Sequence, residues 1–326
     1  MSFAGYSFCK PHSASYALVS FKSAYIRAHY PAEFMASVIS NQGGYYAAFG
    51  YISEARRMGL RVLLPDINAS EIRYTGHNDT LRVGLMQLKG IQQLALEGIV
   101  HERETTRGSF TNFEDFLKRV ELDLADIRIL IKAGCFDSIA EGKTRPQLMW
   151  ELHQQSHARD VQQKKELTLY DDNNFYLPAT PEYNNRTILK HEIEVLGFLI
   201  SRHPLTLYRA LLRHLPVIKA SELRKHVGEE VLLIGWMITG KVVHTKTDEP
   251  MEFISFEDTT AMYETTFFPE VYRRFCHMLS KVRPYLIQGL VEEDYSAITV
   301  TISAIEFLDK IDPRTFKGKI MQVGAY

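Results

Sequence analysis

The chain has 326 residues, of which 45% are hydrophobic and 24% charged. That is about twice the usual size of one domain, so two to four compact units are expected and a single small module is excluded. Lys and Arg number 38 against 39 Asp and Glu, and this near-neutral balance argues against a strong stand-alone non-specific nucleic-acid binder, because such binding is largely counterion release by cations.

A helix is expected from Pro11 to about Tyr30, with Pro11 at its first position and a stripe of Tyr16, Val19, Ser23, Ile26 and Tyr30. Pro31 ends it and starts a second helix to about Ile39. The loop Asn41-Gln42-Gly43-Gly44 follows, then a third helix from about Tyr45 to Met58, stopped by Gly59. Val62 to Leu64 is a short extended piece. Ile72 to Thr75 and Leu81 to Val83 flank Gly76-His77-Asn78-Asp79 as the arms and loop of a β-hairpin. Helices return over about Gln92–Glu104, Phe113–Val120 with Thr111 as cap, and Leu124–Lys132 ending at Gly134. A long polar helix opens at Thr144 and Pro146 and runs to about Lys165. Asp171 to Arg186, rich in Asn and Asp and holding Pro178 and Pro181, reads as a linker. Beyond Val227 strands are expected at Val231–Thr239, Met251–Glu257, Tyr263–Phe268, Tyr285–Val291 and Ala297–Ile305, with a helix at Pro269–Leu279 between the third and fourth. That element order is the OB-fold, whose face and loops commonly hold single-stranded nucleic acid.

The fold class expected is therefore multidomain: a mostly α-helical N-terminal two-thirds with a small β-hairpin, followed by a five-stranded OB-fold β-barrel. Charge is uneven along it. Residues 1–65 hold 6 basic and 2 acidic side chains, 66–140 hold 9 and 12, 141–226 hold 13 and 10, and 227–326 hold 10 and 15. The first and third segments are thus the ones suited to phosphates. The longest apolar runs fall far short of the roughly 20 residues of a membrane helix. The first residues lack the basic and apolar regions of a secretory signal, which leaves the cytoplasm and no membrane partner as the expectation. Cys9, Cys135 and Cys276 are too far apart for a zinc ribbon, and no disulfide framework is expected.

Several stretches resemble one family in order: Phe3 to Ala17, Arg27 to Met35, Arg57-Met58-Gly59-Leu60 through Asn68, Val83-Gly84-Leu85 through Gly90, Leu130 to Asp137, and Leu196-Gly197-Phe198 through Leu205. They are similar to the bacterial DNA polymerase III alpha subunit, and Gln42 to Arg57 also resembles its error-prone paralogue, so the replicative and error-prone branches both stay open. The resemblance implies a fingers segment at 1–65, a helix-hairpin-helix domain at 66–165, a linker with a clamp-binding-like peptide and connecting helices at 166–226, an OB-fold at 227–310 and a tail at 311–326. It also implies that the palm carboxylates lie before the segment matched here. No catalytic residue, metal or other cofactor is then expected in this chain, Mg2+ belonging with the palm, and no polymerisation is expected from it alone.

Candidate sites follow from the same resemblance. Lys10, His12 and Ser13, at a helix start, either face a nucleotide triphosphate or are a cap and two solvated side chains. Tyr16 either packs in a core or meets a base. The Lys89-Gly90 turn resembles a helix-hairpin-helix turn, whose bare amides approach a DNA phosphate. Gln92 stands where the family usually has a second glycine. Lys132 and Gly134 form a weaker second hairpin or an ordinary glycine cap. Leu167, Leu169 and Tyr170 are apolar anchors on a polar segment that resembles a sliding-clamp peptide, with Glu166 in place of the usual Gln. On the OB-fold, Trp236, Phe253, Phe256, Tyr263, Phe267 and Phe268 supply aromatics and Lys241, His244 and Lys246 line the first inter-strand loop, with Trp236, Lys241, Lys246 and Phe268 as the candidates for single-strand contact. Phe267 and Phe268, being neighbours on a strand, cannot both be core. Asp171-Asp172 and Glu292-Glu293-Asp294 read as solvated loop charges. The partners implied are DNA, the sliding clamp, the palm portion and other replisome subunits. Two rival functions remain: a free-standing single-stranded nucleic-acid-binding OB-fold protein, and a replisome interaction scaffold.

Overall fold

The computed structural model describes residues 10–42, 44, 46–105, 108–163, 179–279, 283–314, 316, 318 and 320. The chain forms two compact units, Met1–Gly43 with Met58–Ser201, and Gly44–Arg57 with Arg202–Tyr326. The segment 44–57 therefore lies within the expected fingers segment in sequence and with the barrel in space. Among the described residues no helix is long and apolar enough to cross a membrane.

In the first unit, α1 (Lys10–His29) and α2 (Pro31–Ser40) meet at Pro31, as the sequence predicts. The α1 stripe is not core. Tyr16 is 72% exposed, and Val19, Phe21, Tyr25 and Ile26 are exposed too. Core packing of Tyr16 is thus overturned, because the described elements leave this side of the helix uncovered. In contrast, α2 buries Ala32, Met35 and Ile39 against a small sheet. That sheet has the order β1-β3-β2, from β1 (Arg61–Leu63), β2 (Thr75–His77) and β3 (Thr80–Arg82), with β1 parallel to β3. The hairpin is tighter than predicted, turning at Asn78 with φ +52°. Gly76 lies in the strand, not the loop, and a Cβ there would run into the Ala32 backbone. Its glycine thus serves close packing against α2 and not the turn.

The helical remainder comprises α4 (Gln93–Thr105), α5 (Phe113–Arg119), α6 (Leu124–Ala133), α7 (Arg145–Gln163) and α8 (Asn185–Leu196). Phe113 and Phe116 pack edge-on to Phe136 at centroid distances of 4.9 and 4.8 Å. The cap of α5 is Asn112, one residue beyond the Thr111 expected. Its Oδ1 accepts the Asp115 amide at 2.9 Å while the Asp115 carboxylate accepts the Thr111 amide at 3.0 Å. The Thr111 amide is the main cause that holds the Asp115 carboxyl below its usual pKa.

The second unit contains α3 (Ala48–Arg57), a one-turn α9 (Arg209–Leu212), the strands β4 (Glu230–His244), β5 (Pro250–Glu257), β6 (Met262–Phe267), β7 (Pro284–Asp294) and β8 (Ala297–Phe307), and α10 (Pro269–Phe275). The strands close in the order β4-β5-β6-β8-β7, β4 pairing with both β5 and β7 and β6 running parallel to β8. With α10 between β6 and β7, this is an OB-fold. Ile254, Phe256, Phe267, Tyr285, Ile287 and Val300 fill the barrel, and the two interior phenols of Tyr263 and Tyr285 donate to the carbonyls of Ile234 and Met278. Most strands exceed their predicted length. Gly240 does not end β4, whose ladder continues to His244 opposite Pro250, and Glu292, Glu293 and Asp294 belong to β7 and not to a loop.

One barrel carboxyl is poorly placed. Glu252 is 8% exposed, lies on β5 between Val242 and Phe267, and has no hydrogen-bond partner among the described residues. Burial pushes its pKa up. A raised folded-state pKa means the contribution to stability is full below the unfolded value and is lost as pH rises through the folded one. Glu252→Gln is therefore expected to raise barrel stability at pH 7 by on the order of 1 kcal/mol. The gain shrinks toward pH 4 in thermal unfolding scans; an equal gain at both pH values would show that ionisation is not the cause.

Candidate nucleic-acid interface

In the first unit a backbone turn is set up for an anion. Gly90 has φ +91°, a left-handed geometry that glycine adopts without strain. Among the described residues, the amides of Gly90, Ile91 and Gln92 meet no acceptor, and they precede the start of α4. The turn is held from behind by the end of α8. The Lys89 amide donates to the Val195 carbonyl at 2.8 Å, and the Gln87 amide side chain to the Leu196 carbonyl at 2.6 Å. The exposed Lys89 side chain passes over Gly197, the left-handed cap of α8, where the helix dipole favours a cation. Gln92 is exposed and outside the left-handed region, so its replacement of a glycine introduces no backbone strain.

The Gly134 turn differs. Its amide donates to Ile131 and that of Cys135 to Leu130, while Arg145 crowds the glycine, bridging Asp137 at 2.5 Å and donating to the Lys132 carbonyl at 3.2 Å. This is a helix C-cap with its polar groups satisfied from within. Of the two turns, the Gly90 turn is the one whose glycine amide and the two amides after it meet no acceptor among the described residues. Lys132 is partly exposed and its ammonium pairs with Glu194 at 2.6 Å.

In the second unit, the outer face of β4 and β5 is divided between a covered and an open half. Along β5, alternation puts Phe253, Ser255 and Glu257 on one side. Glu257 is fully buried under α3. Its Oε1 accepts Ser53 Oγ at 2.7 Å and lies 3.0 Å from His203 Nε2, and its Oε2 accepts Arg57 Nη1 at 2.8 Å. Because His203 Nδ1 accepts the Leu205 amide at 3.1 Å, Nε2 carries the proton and donates. Phe49 of α3 packs 6.3 Å from the ring of Trp236, and Gly50 sits on Ile238, the bulged residue of β4. Trp236 is thus half-buried against α3, not a free stacking surface.

The open half holds Phe253, 44% exposed, directly between Lys241 on β4 and Thr266 on β6. Phe268, 48% exposed, follows two residues after Thr266, while its neighbour Phe267 is fully buried. Lys241 lies on a strand and not in the first inter-strand loop; the exposed Lys246 is in that loop. Phe253 is one of the aromatics expected on the barrel, and the ladder running past Gly240 is what places it opposite Lys241.

His12 and Ser13 are exposed within the first turn of α1, so Ser13 is no helix cap; the side chain of Lys10 lies outside the described residues. Leu167, Leu169, Tyr170 and Asp171-Asp172 also fall outside them. Among the described residues, no group of three or more His, Cys, Asp or Glu could hold a metal ion.

A helix-hairpin-helix motif model matches residues 59–148, the region that builds the Gly90 turn. DNA polymerase III subunit alpha of Saccharopolyspora erythraea is 30% identical over 354 residues, covering 100% of this chain. The chain is a homologue of the C-terminal part of bacterial DNA polymerase III alpha subunits. The same subunit of Treponema pallidum is 30% identical over 99% of this chain, and that of Aquifex aeolicus 32% over 90%. The chain spans 29%, 28% and 24% of these three relatives. The second OB-fold domain of replication protein A from Methanococcus maripaludis aligns with 26% of the chain at 13% identity and a TM-score of 0.20, a likeness too small to add to the barrel's own topology.

Proposed function

We propose that this chain supplies DNA grip to a polymerase III alpha subunit, holding duplex phosphates at the Lys89–Gly90 turn and single strand on the open half of the barrel face. The observation that carries the duplex part is the trio of unengaged amides at Gly90, Ile91 and Gln92, next after Lys89 in the chain and inside the region that matches the helix-hairpin-helix model. Backbone amides and a lysine suit phosphate without reading sequence. The barrel part is supported by two exposed phenylalanines with a lysine opposite one of them, the composition of a base-stacking platform. Nucleotide contact by Lys10, His12 and Ser13 and clamp tethering by Leu167, Leu169 and Tyr170 extend this reading and rest on the family resemblance.

Fluorescence anisotropy of the full chain on a primed template tests the duplex part. Lys89→Gln is expected to weaken binding by roughly 3- to 10-fold regardless of sequence and to reduce the salt slope by about 1. Unchanged affinity and slope would remove the Gly90 turn from the interface.

A further inference from the structure

The last five residues of α8 include Glu192 and Glu194 and no basic residue. A helix C-terminus is partially negative, so carboxylates are disfavoured there. Glu192 has a structural reason to be present: it is buried and accepts the amides of Ile200 and Ser201, fixing the chain beyond the helix. Glu194 has no such duty. It is exposed, and its Oε1 lies 2.6 Å from Lys132 Nζ.

Lys132 is close to the Gly90 surface. It stands one turn along α6 from Ile129, whose Cδ1 lies 3.2 Å from where a Gly90 Cβ would be. The same end of α8 that carries Glu194 also accepts the Lys89 amide through Val195 and the Gln87 side chain through Leu196. Lys89, Gly90 and Lys132 thus share one side of this unit, and Glu194 is the anion that occupies its second cation.

We infer that Glu194 stands in for a DNA phosphate at Lys132, holding the ammonium in the free protein and yielding it when a duplex backbone arrives. The inference rests on the proposal that the Lys89–Gly90 surface takes phosphate. Two consequences follow from charge alone. Glu194 lowers affinity, both by occupying Lys132 and by repelling the incoming phosphate. It also lowers the salt dependence, because Lys132 exchanges a carboxylate for a phosphate and its binding is not accompanied by counterion release.

The test uses the full chain and a fluorescent duplex in anisotropy titrations at two salt concentrations, with Glu194→Gln, Lys132→Gln, the double variant and Lys89→Gln. Glu194→Gln is expected to tighten duplex binding about 2- to 5-fold, the scale of one exposed ion pair. Its salt slope should steepen by up to about one counterion. The double variant should gain less over Lys132→Gln than Glu194→Gln gains over wild type, because only the repulsion of the phosphate remains to be relieved once Lys132 is gone; an equal gain would show that Glu194 does not act through Lys132. Unchanged or weaker binding by Glu194→Gln, with Lys89→Gln and Lys132→Gln both weaker than wild type, overturns the role of Glu194 and leaves the phosphate surface standing. If Lys89→Gln and Lys132→Gln bind as tightly as wild type, the phosphate surface itself is wrong and this inference falls with it.

Discussion

Glu257→Ala is expected to destabilise the barrel unit by about 3–5 kcal/mol, the range for removing one partner of a buried ion pair. The side chain is fully buried and serves three donors from two distant parts of the chain: Ser53 and Arg57 on α3, and His203 ahead of the barrel. Among the described residues, its loss leaves the Arg57 guanidinium with Glu54 alone, at 2.9 Å from Nε, and His203 Nε2 without an acceptor. The chain has two tryptophans, Trp150 on α7 and Trp236 on β4. In a Trp150→Phe background, denaturant unfolding followed by fluorescence therefore reports on the barrel, where Trp236 packs near Phe49. Glu257→Gln should fall between, since its amide can still accept from Ser53 or His203 but presents a donor to Arg57. A loss below about 1 kcal/mol for the alanine variant, the scale of an ordinary single hydrogen bond, would mean that α3 is not anchored through this carboxylate.

The largest expected effect on binding is that of replacing Phe253 and Phe268 together by alanine. Stacking of one base on an aromatic ring contributes about 1–3 kcal/mol, so the double variant should bind a short single strand on the order of 100-fold more weakly. Both rings are about half exposed, so the fold should survive. The salt slope should stay the same, because no cation is lost; Lys241→Gln should instead reduce that slope by about 1 with a smaller loss of affinity. Duplex binding at the Gly90 turn should be untouched. Equal single-strand affinity for the double variant and wild type would turn the barrel face into a structural or protein-contact surface.

Much of the barrel was legible because its strands are apolar runs bounded by turn residues, and β6 alternates buried with more exposed positions. Pro269 marks the start of α10, and the neighbouring pair Phe267 and Phe268 divides into one buried and one exposed ring as period two requires. What sequence could not show was the partner of α3. Phe49, Ile52 and Ser53 form a buried face by helical spacing, but spacing does not say which surface covers that face. The cover is contributed by residues about 200 positions later. Glu257, an acidic residue at the end of a strand, reads locally as a solvent-facing charge until Arg57 and His203 are brought to it. The α1 stripe fails in the opposite direction. Its three- and four-residue spacing predicts a buried side, and the helix forms, yet Tyr16 and Ile26 remain exposed. Periodicity predicts a helix more securely than it predicts what lies against it. Gly76 shows the same limit on a smaller scale: a glycine beside Asn78-Asp79 suggests a loop residue, and its actual role, letting a strand touch α2, depends on a tertiary approach.

The joining of α3 to the barrel also constrains how the molecule can be made. Ser53 leaves the ribosome 204 residues before Glu257, which at about 5–20 residues per second is a wait of roughly 10–40 s. During that interval a nascent helix bearing Phe49 and Ile52 has no surface on which to settle. Barrel completion is consequently a late, long-range closure, and synthesis from the N-terminus cannot finish one unit before beginning the other.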